Sequence, residues 1–212
     1  MFGGSEQTSS RGAPALVTGF TILALGAMAA AIPPARLAPT VTGVERGCLV
    51  SSASFSDMMA EFLNGQGYTY MAIDCTRVPL GTSDAWRRQF DAASRIFPVW
   101  GWVDMRGGVE QARKVAASLS LSGLFLYGAK PGDVEVVRAA KPGLRVVPVV
   151  RAGETWAGEG EAATAFLPAN LAGAASAKLP VLFADQLSPA ERSAARATLK
   201  GNYLLSTISV LD

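Results

Sequence analysis

The sequence predicts an α/β protein: a small (β/α)8 TIM-like barrel preceded by one N-terminal transmembrane helix. Three observations carry this expectation. From Gly47 onward, eight short apolar runs recur with helix-like segments between them, the pattern of parallel strands joined by crossover helices. The runs are continuous rather than alternating, as in strands covered on both faces. Before them, residues 15–32 pass without a charge.

The strand-like runs are CLVSS (48–52), YMAID (70–74), FPVWGWVD (97–104), LFLYG (124–128), RVVPVV (145–150), TAFLP (164–168), VLFAD (181–185) and YLLSTISV (203–210). In the first helix-like connection Phe55, Met59, Phe62 and Leu63 are expected to share a face, and in the second Trp86, Phe90 and Ala93. The third carries Val115, Ala116 and Leu119. In the fourth, Asp133 is placed to cap and Gly143 to lie beyond the end. The seventh opens Ser188-Pro189-Ala190-Glu191, an N-cap, a first-turn proline and a capping-box glutamate. The fifth and sixth connections are short, with room for a turn or two of helix. Residues 47–212 supply 166 positions, fewer than the about 200 upward usual for this barrel. The alternative is an open doubly wound parallel sheet. Pro148 inside RVVPVV fits awkwardly in a central strand.

The front of the chain reads as a polar tail (1–12), a transmembrane helix (13–34) closed by Pro33 and Pro34, and a proline-stiffened linker (35–46). Eighteen apolar residues at 1.5 Å rise cover about 27 Å, close to the hydrocarbon thickness of a bilayer. Gly19 and Gly26 give one surface the smoothness of helices that pack on other membrane helices. A cleavable signal peptide, suggested by Ala27-Met28-Ala29, and a buried soluble helix are the competing readings. An uncleaved anchor with a large C-terminal domain places that domain by default on the extracytoplasmic, periplasmic side of the cell membrane. Arg11 before the span and Arg36 and Arg46 after it do little to decide orientation.

Composition excludes several classes. Net charge is +2 and no basic run is present, so nucleic acid is not an expected partner. Histidine is absent, which removes imidazole triads, Cys-His pairs and His-ligated metals. Cys48 and Cys75 fall near opposite ends of neighbouring strands, too far apart to bridge, and are expected as free thiols. SSASFSD stands where a dinucleotide fold would carry GxGxxG, and its serines read as helix caps. No cofactor and no metal is expected.

In a barrel the C-terminal strand ends converge on one face. Asp74, Asp104 and Asp185 fall there, with Tyr127, Lys130 and Arg151. Such a face suits paired-carboxylate hydrolysis or a hard cation. Each acid also has a structural reading. Asp74 pairs with Arg77 or caps a turn, Asp104 organises the turn into the third helix, and Asp185 precedes the Ser188 cap. Trp100 and Trp102 are candidates for stacking on a sugar. Two apart, they share one side of their strand, which equally packs as core.

The runs FPVWGWVDM, LFLYG and VLFAD resemble barrel strands of glycoside-hydrolase-like domains, including lysozyme-type barrels. The resemblance implies catalytic acids after strands four and seven. Asp185 fits the second position, but strand four ends in Tyr127-Gly128-Ala129, without a carboxylate. The short loops, the incomplete acid pair and the anchor together favour a non-catalytic accessory or scaffolding subunit of a larger membrane complex. Its expected partners are other membrane subunits and the lipid bilayer. A membrane-tethered glycosidase using Asp104 and Asp185, and a glycan- or ligand-binding module using Trp100, Trp102 and Arg151, are the alternatives.

Overall fold

The computed structural model describes residues 44–80, 84–185, 187–199 and 201–207. The tail, the expected membrane helix with Gly19 and Gly26, and most of the linker lie outside these residues. Among those described, no helix is long and apolar enough to cross a membrane.

Eight parallel strands close into a ring in chain order: β1 (Arg46–Val50), β2 (Tyr70–Asp74), β3 (Val99–Asp104), β4 (Gly123–Tyr127), β5 (Arg145–Arg151), β6 (Ala163–Phe166), β7 (Pro180–Phe183) and β8 (Tyr203–Ser206). The β8–β1 pairing, with Gly47 opposite Leu204, closes the barrel and removes the open-sheet alternative. Carrying Gly47 from partner to partner round the ring returns the path to β1 eight residues short of its start. That is the shear of a TIM barrel.

Outside the ring run α1 (Asp57–Gly65), α2 (Asp84–Ile96), α3 (Val109–Ser118), α4 (Pro131–Ala140) and α5 (Pro189–Thr198). The caps follow the sequence. Ser51 and Ser56 accept the backbone N–H groups of Ala53 and Met59, so these serines are caps. Asp133 accepts from the Lys130 N–H, and Ser188 and Glu191 exchange the two hydrogen bonds of a capping box. Gly143, with φ +86°, follows α4 in the left-handed conformation that a helix end asks of glycine. The chain fits a barrel into few residues because its connections shrink. Between β5 and β6 there is no helix, and between β6 and β7 there is only a 3-10 helix, Pro168–Ser176.

Several expectations need correction. β3 begins at Val99, because Pro98 has no N–H for a ladder; β6 ends at Phe166, and β8 ends at Ser206. Phe62 does not share the buried face of α1. It is 61% exposed whereas Leu63 is 4% exposed, because one helical step turns a side chain by about 100°. Pro148 sits in β5 without cost. Val149 points its peptide at β4, accepting the Gly128 N–H at 3.0 Å, so Pro148 turns toward β6, whose pairing starts only at Val149. Neither cysteine is in a disulfide, and both are buried.

Two cores result. Outward strand residues such as Cys48, Met71, Val103 and Leu182 pack under the helices, and a second cluster fills the lumen.

Candidate functional site

Register and alternation assign the lumen to stacked layers, each built from alternate strands. Gly47, Trp100, Val147 and Leu179 form the lowest of three. Ala72, Phe125, Ala163 and Leu204 come next, then Leu49, Trp102, Val149 and Val181. Large rings on β2–β4 meet small residues elsewhere. The Tyr70 ring occupies the space that a Cβ on Gly47 would need, and the Trp100 ring does the same at Gly123. Trp100 stacks on Phe125 at 4.9 Å between centroids, and Trp102 stacks on Tyr127 at 5.5 Å. Phe183 meets Trp102 edge-on at 5.8 Å. Trp100 and Trp102 are 5% and 3% exposed, so neither offers a ring face to solvent.

The next layer, Asp74, Tyr127, Ala165 and Ser206, opens the C-terminal mouth, and Asp104, Arg151 and Phe183 stand just above it. The polar groups of this mouth are engaged by the chain itself. Asp74 Oδ1 accepts the Thr76 N–H at 3.0 Å, and Thr76 Oγ1 accepts the Asp104 N–H at 3.0 Å. The Asp104 carboxylate accepts the Arg106 N–H at 3.0 Å and is gripped by the Arg106 guanidinium at 2.6–3.1 Å. Arg151 Nε donates to Tyr127 Oη at 3.0 Å, its guanidinium lies 5.9 Å from the Tyr127 ring centroid, and its backbone N–H is taken by Glu154. Gln111 of α3 holds the loop after β2 through the carbonyls of Cys75 and Val78. Lys130 is exposed beside the α4 cap.

Asp185 is partly buried and follows β7, four strands round the ring from Asp104. Eight strands about 4.8 Å apart and tilted about 36° set opposite walls about 15 Å apart. Among the described residues, no three His, Cys, Asp or Glu side chains converge as metal ligands. Burial pushes the Cys75 thiol far above its ordinary range, with the neighbouring Asp74 adding to the shift. The thiol is therefore protonated and unavailable as a nucleophile.

Neither a protein-family model nor a curated protein matches the chain. The geometry of the mouth therefore stands by itself. Sequence reasoning placed Asp74, Asp104, Tyr127 and Arg151 at one end of the barrel and missed Thr76, which ties the turns after β2 and β3 together. Thr76 lies two residues after a strand-end aspartate, the spacing of an Asx turn.

The opposite, N-terminal mouth is latched. Arg145 of β5 ion-pairs with Glu45 before β1 at 2.8 Å, across the ring, and lies 5.2 Å from the Trp100 ring centroid.

Proposed function

We propose that this protein is a single-pass membrane-anchored, non-catalytic accessory or scaffolding subunit of a larger membrane complex. One observation carries the non-catalytic half of the reading. At the face where barrels of this kind place their chemistry, Asp74, Asp104 and Tyr127 are bound to Thr76, Arg106 and Arg151 of the same chain. Beneath them the lumen is filled by buried rings. A catalytic carboxylate needs a free oxygen aimed at substrate, and Asp104 spends both of its oxygens on one guanidinium. The connections that would wall a cleft are spent on caps and turns. The anchor half of the reading rests on the uncharged run 15–32. In this role the filled barrel is a rigid body held beside the bilayer and offered to neighbouring subunits, and the Gly19/Gly26 surface of the anchor packs on their helices.

The test is purification of the untagged protein from native membranes under mild solubilisation. Co-migration with stoichiometric membrane subunits is the expected result. Migration alone, or recovery in the soluble fraction, overturns the reading.

A further inference from the structure

The shortened β6–β7 connection leaves a cavity in the outer layer of the barrel. Where the fold ordinarily delivers a full α-helix, Pro168–Ser176 forms a 3-10 helix of the sequence PANLAGAAS, four of whose nine residues are alanine and one glycine. A thinner helix with small side chains does not fill the space between β7 and α5. The result is a cavity of about 460 Å³, partly open to solvent. Its floor is Leu182 and Ala174, 1% and 2% exposed, and its walls include Leu171, Leu187, Ala194 and Leu199.

The lining decides what can occupy it. The volume falls within the about 300–1,000 Å³ of small-molecule sites. Among the described residues that line it there is no aromatic ring and no side chain with a hydrogen-bond donor, so no described side chain orients a planar or polar ligand. Ordered water is a poor filler, because a bound water needs about two to four polar partners. Among the described lining residues the one charged group is Glu191, at the edge. Its Oε2 already accepts the Ser188 N–H at 2.8 Å, and the Ser188 hydrogen bonds hold its carboxyl below the ordinary range. An ionised carboxylate there repels an anionic headgroup and accepts a neutral or cationic one.

We propose that the cavity between Pro168–Ser176, β7 and α5 binds one unbranched hydrocarbon chain whose neutral or cationic headgroup stays at the rim beside Glu191. The site lies on the outer wall rather than in the lumen, since Leu182 belongs to the cluster under the helices, and it stands independently of the accessory-subunit reading.

The test uses the full-length protein held in amphipol, titrated calorimetrically with n-alkyl glucosides of six to twelve carbons below their micellar concentrations. At about 0.8 kcal/mol per buried methylene, Kd should tighten about fourfold per added carbon until the cavity is full. Ala194→Trp fills the cavity from an exposed helix position and should weaken binding of the longest chain by more than about tenfold. It also controls for partition into the amphipol and the apolar N-terminal run. A Kd independent of chain length overturns the proposal, as does binding that survives Ala194→Trp. Loss of binding in Met58→Ser/Phe62→Ser with retention in Ala194→Trp would put the chain on the exposed face of α1, and overturns it equally. A second arm separates two sources of the same chemistry. In proteoliposomes containing phosphatidylcholine with a photoactivatable acyl chain, cross-links within residues 168–199 assign the chain to a bilayer lipid. Calorimetric binding without such cross-links assigns it to a free amphiphile.

Discussion

Replacing Gly123 by alanine adds one methyl group where the barrel has no room for it. A Cβ at this position would stand 2.6 Å from Cη2 of Trp100 and nearer still to two other atoms of the ring. Carbon atoms in contact sit about 3.5–4.0 Å apart, so the indole must retreat by about 1 Å. It has nowhere to go. Tyr70 lies 5.4 Å away by centroids, Phe125 is stacked at 4.9 Å, and Arg145 covers the ring from below. Overpacking of this kind costs about 1–3 kcal/mol. It is offset by about 0.4–1 kcal/mol, because alanine loses less chain entropy than glycine on folding. The net expectation is a loss of about 1–2 kcal/mol, read as a lower urea midpoint at unchanged slope in tryptophan-fluorescence melts. Near-UV dichroism should weaken as the indole stacking is disturbed. Combining Gly123→Ala with Trp100→Leu removes the ring that collides, so the double variant should be more stable than the sum of its two single costs implies. A neutral or stabilising Gly123→Ala, or strict additivity in the double variant, would refute the layer assignment.

Other consequences are smaller and equally concrete. Asp104→Ala removes the cap on the turn after β3 and should cost about 1 kcal/mol in urea melts, whereas Asp104→Asn keeps an acceptor oxygen and should cost only a few tenths. In the same preparations a glycan panel should show no turnover by the parent protein. Hydrolysis that disappears in Asp104→Asn and Asp185→Asn would reverse the functional reading. Arg145→Ala should destabilise more than Glu45→Ala, by about 0.5–1 kcal/mol, because it also uncovers Trp100. The Glu45 effect should fade in 1 M salt while the Trp100 part persists, and equal salt sensitivity of the two variants would count against that division. Cys75 should resist Ellman's reagent at pH 8 in the native state and react only as fast as the protein unfolds, measured as colour development against urea concentration. Prompt labelling of two thiols would contradict its burial.

The division between what could be read early and what could not is physical. Strand and helix order depends on local periodicity and caps, and these are written in the chain: the Ser188–Glu191 box and the Asp133 cap appear where the residues call for them. Continuous apolar runs likewise implied parallel strands. Closure did not follow from any run by itself. It depends on the β8–β1 register, a pairing across more than 150 residues, and only that pairing decided between a barrel and an open sheet. The same register sent Trp100 and Trp102 into the lumen. Alternation along β3 says that the two rings share a side but not which side is inside.

The strand-end residues show the limit most clearly. Their order in the chain placed Asp74, Asp104, Tyr127 and Arg151 at one mouth, because every parallel strand ends on the same face. What each does there was decided by side-chain geometry: Arg106 reaching back to Asp104, Thr76 joining two turns, Arg151 capping Tyr127. A sequence determines by itself what obeys a short period. Which charges meet, which rings are enclosed and where a shortened connection leaves a cavity are set by the closing of the sheet, since closure brings together residues that no local pattern relates.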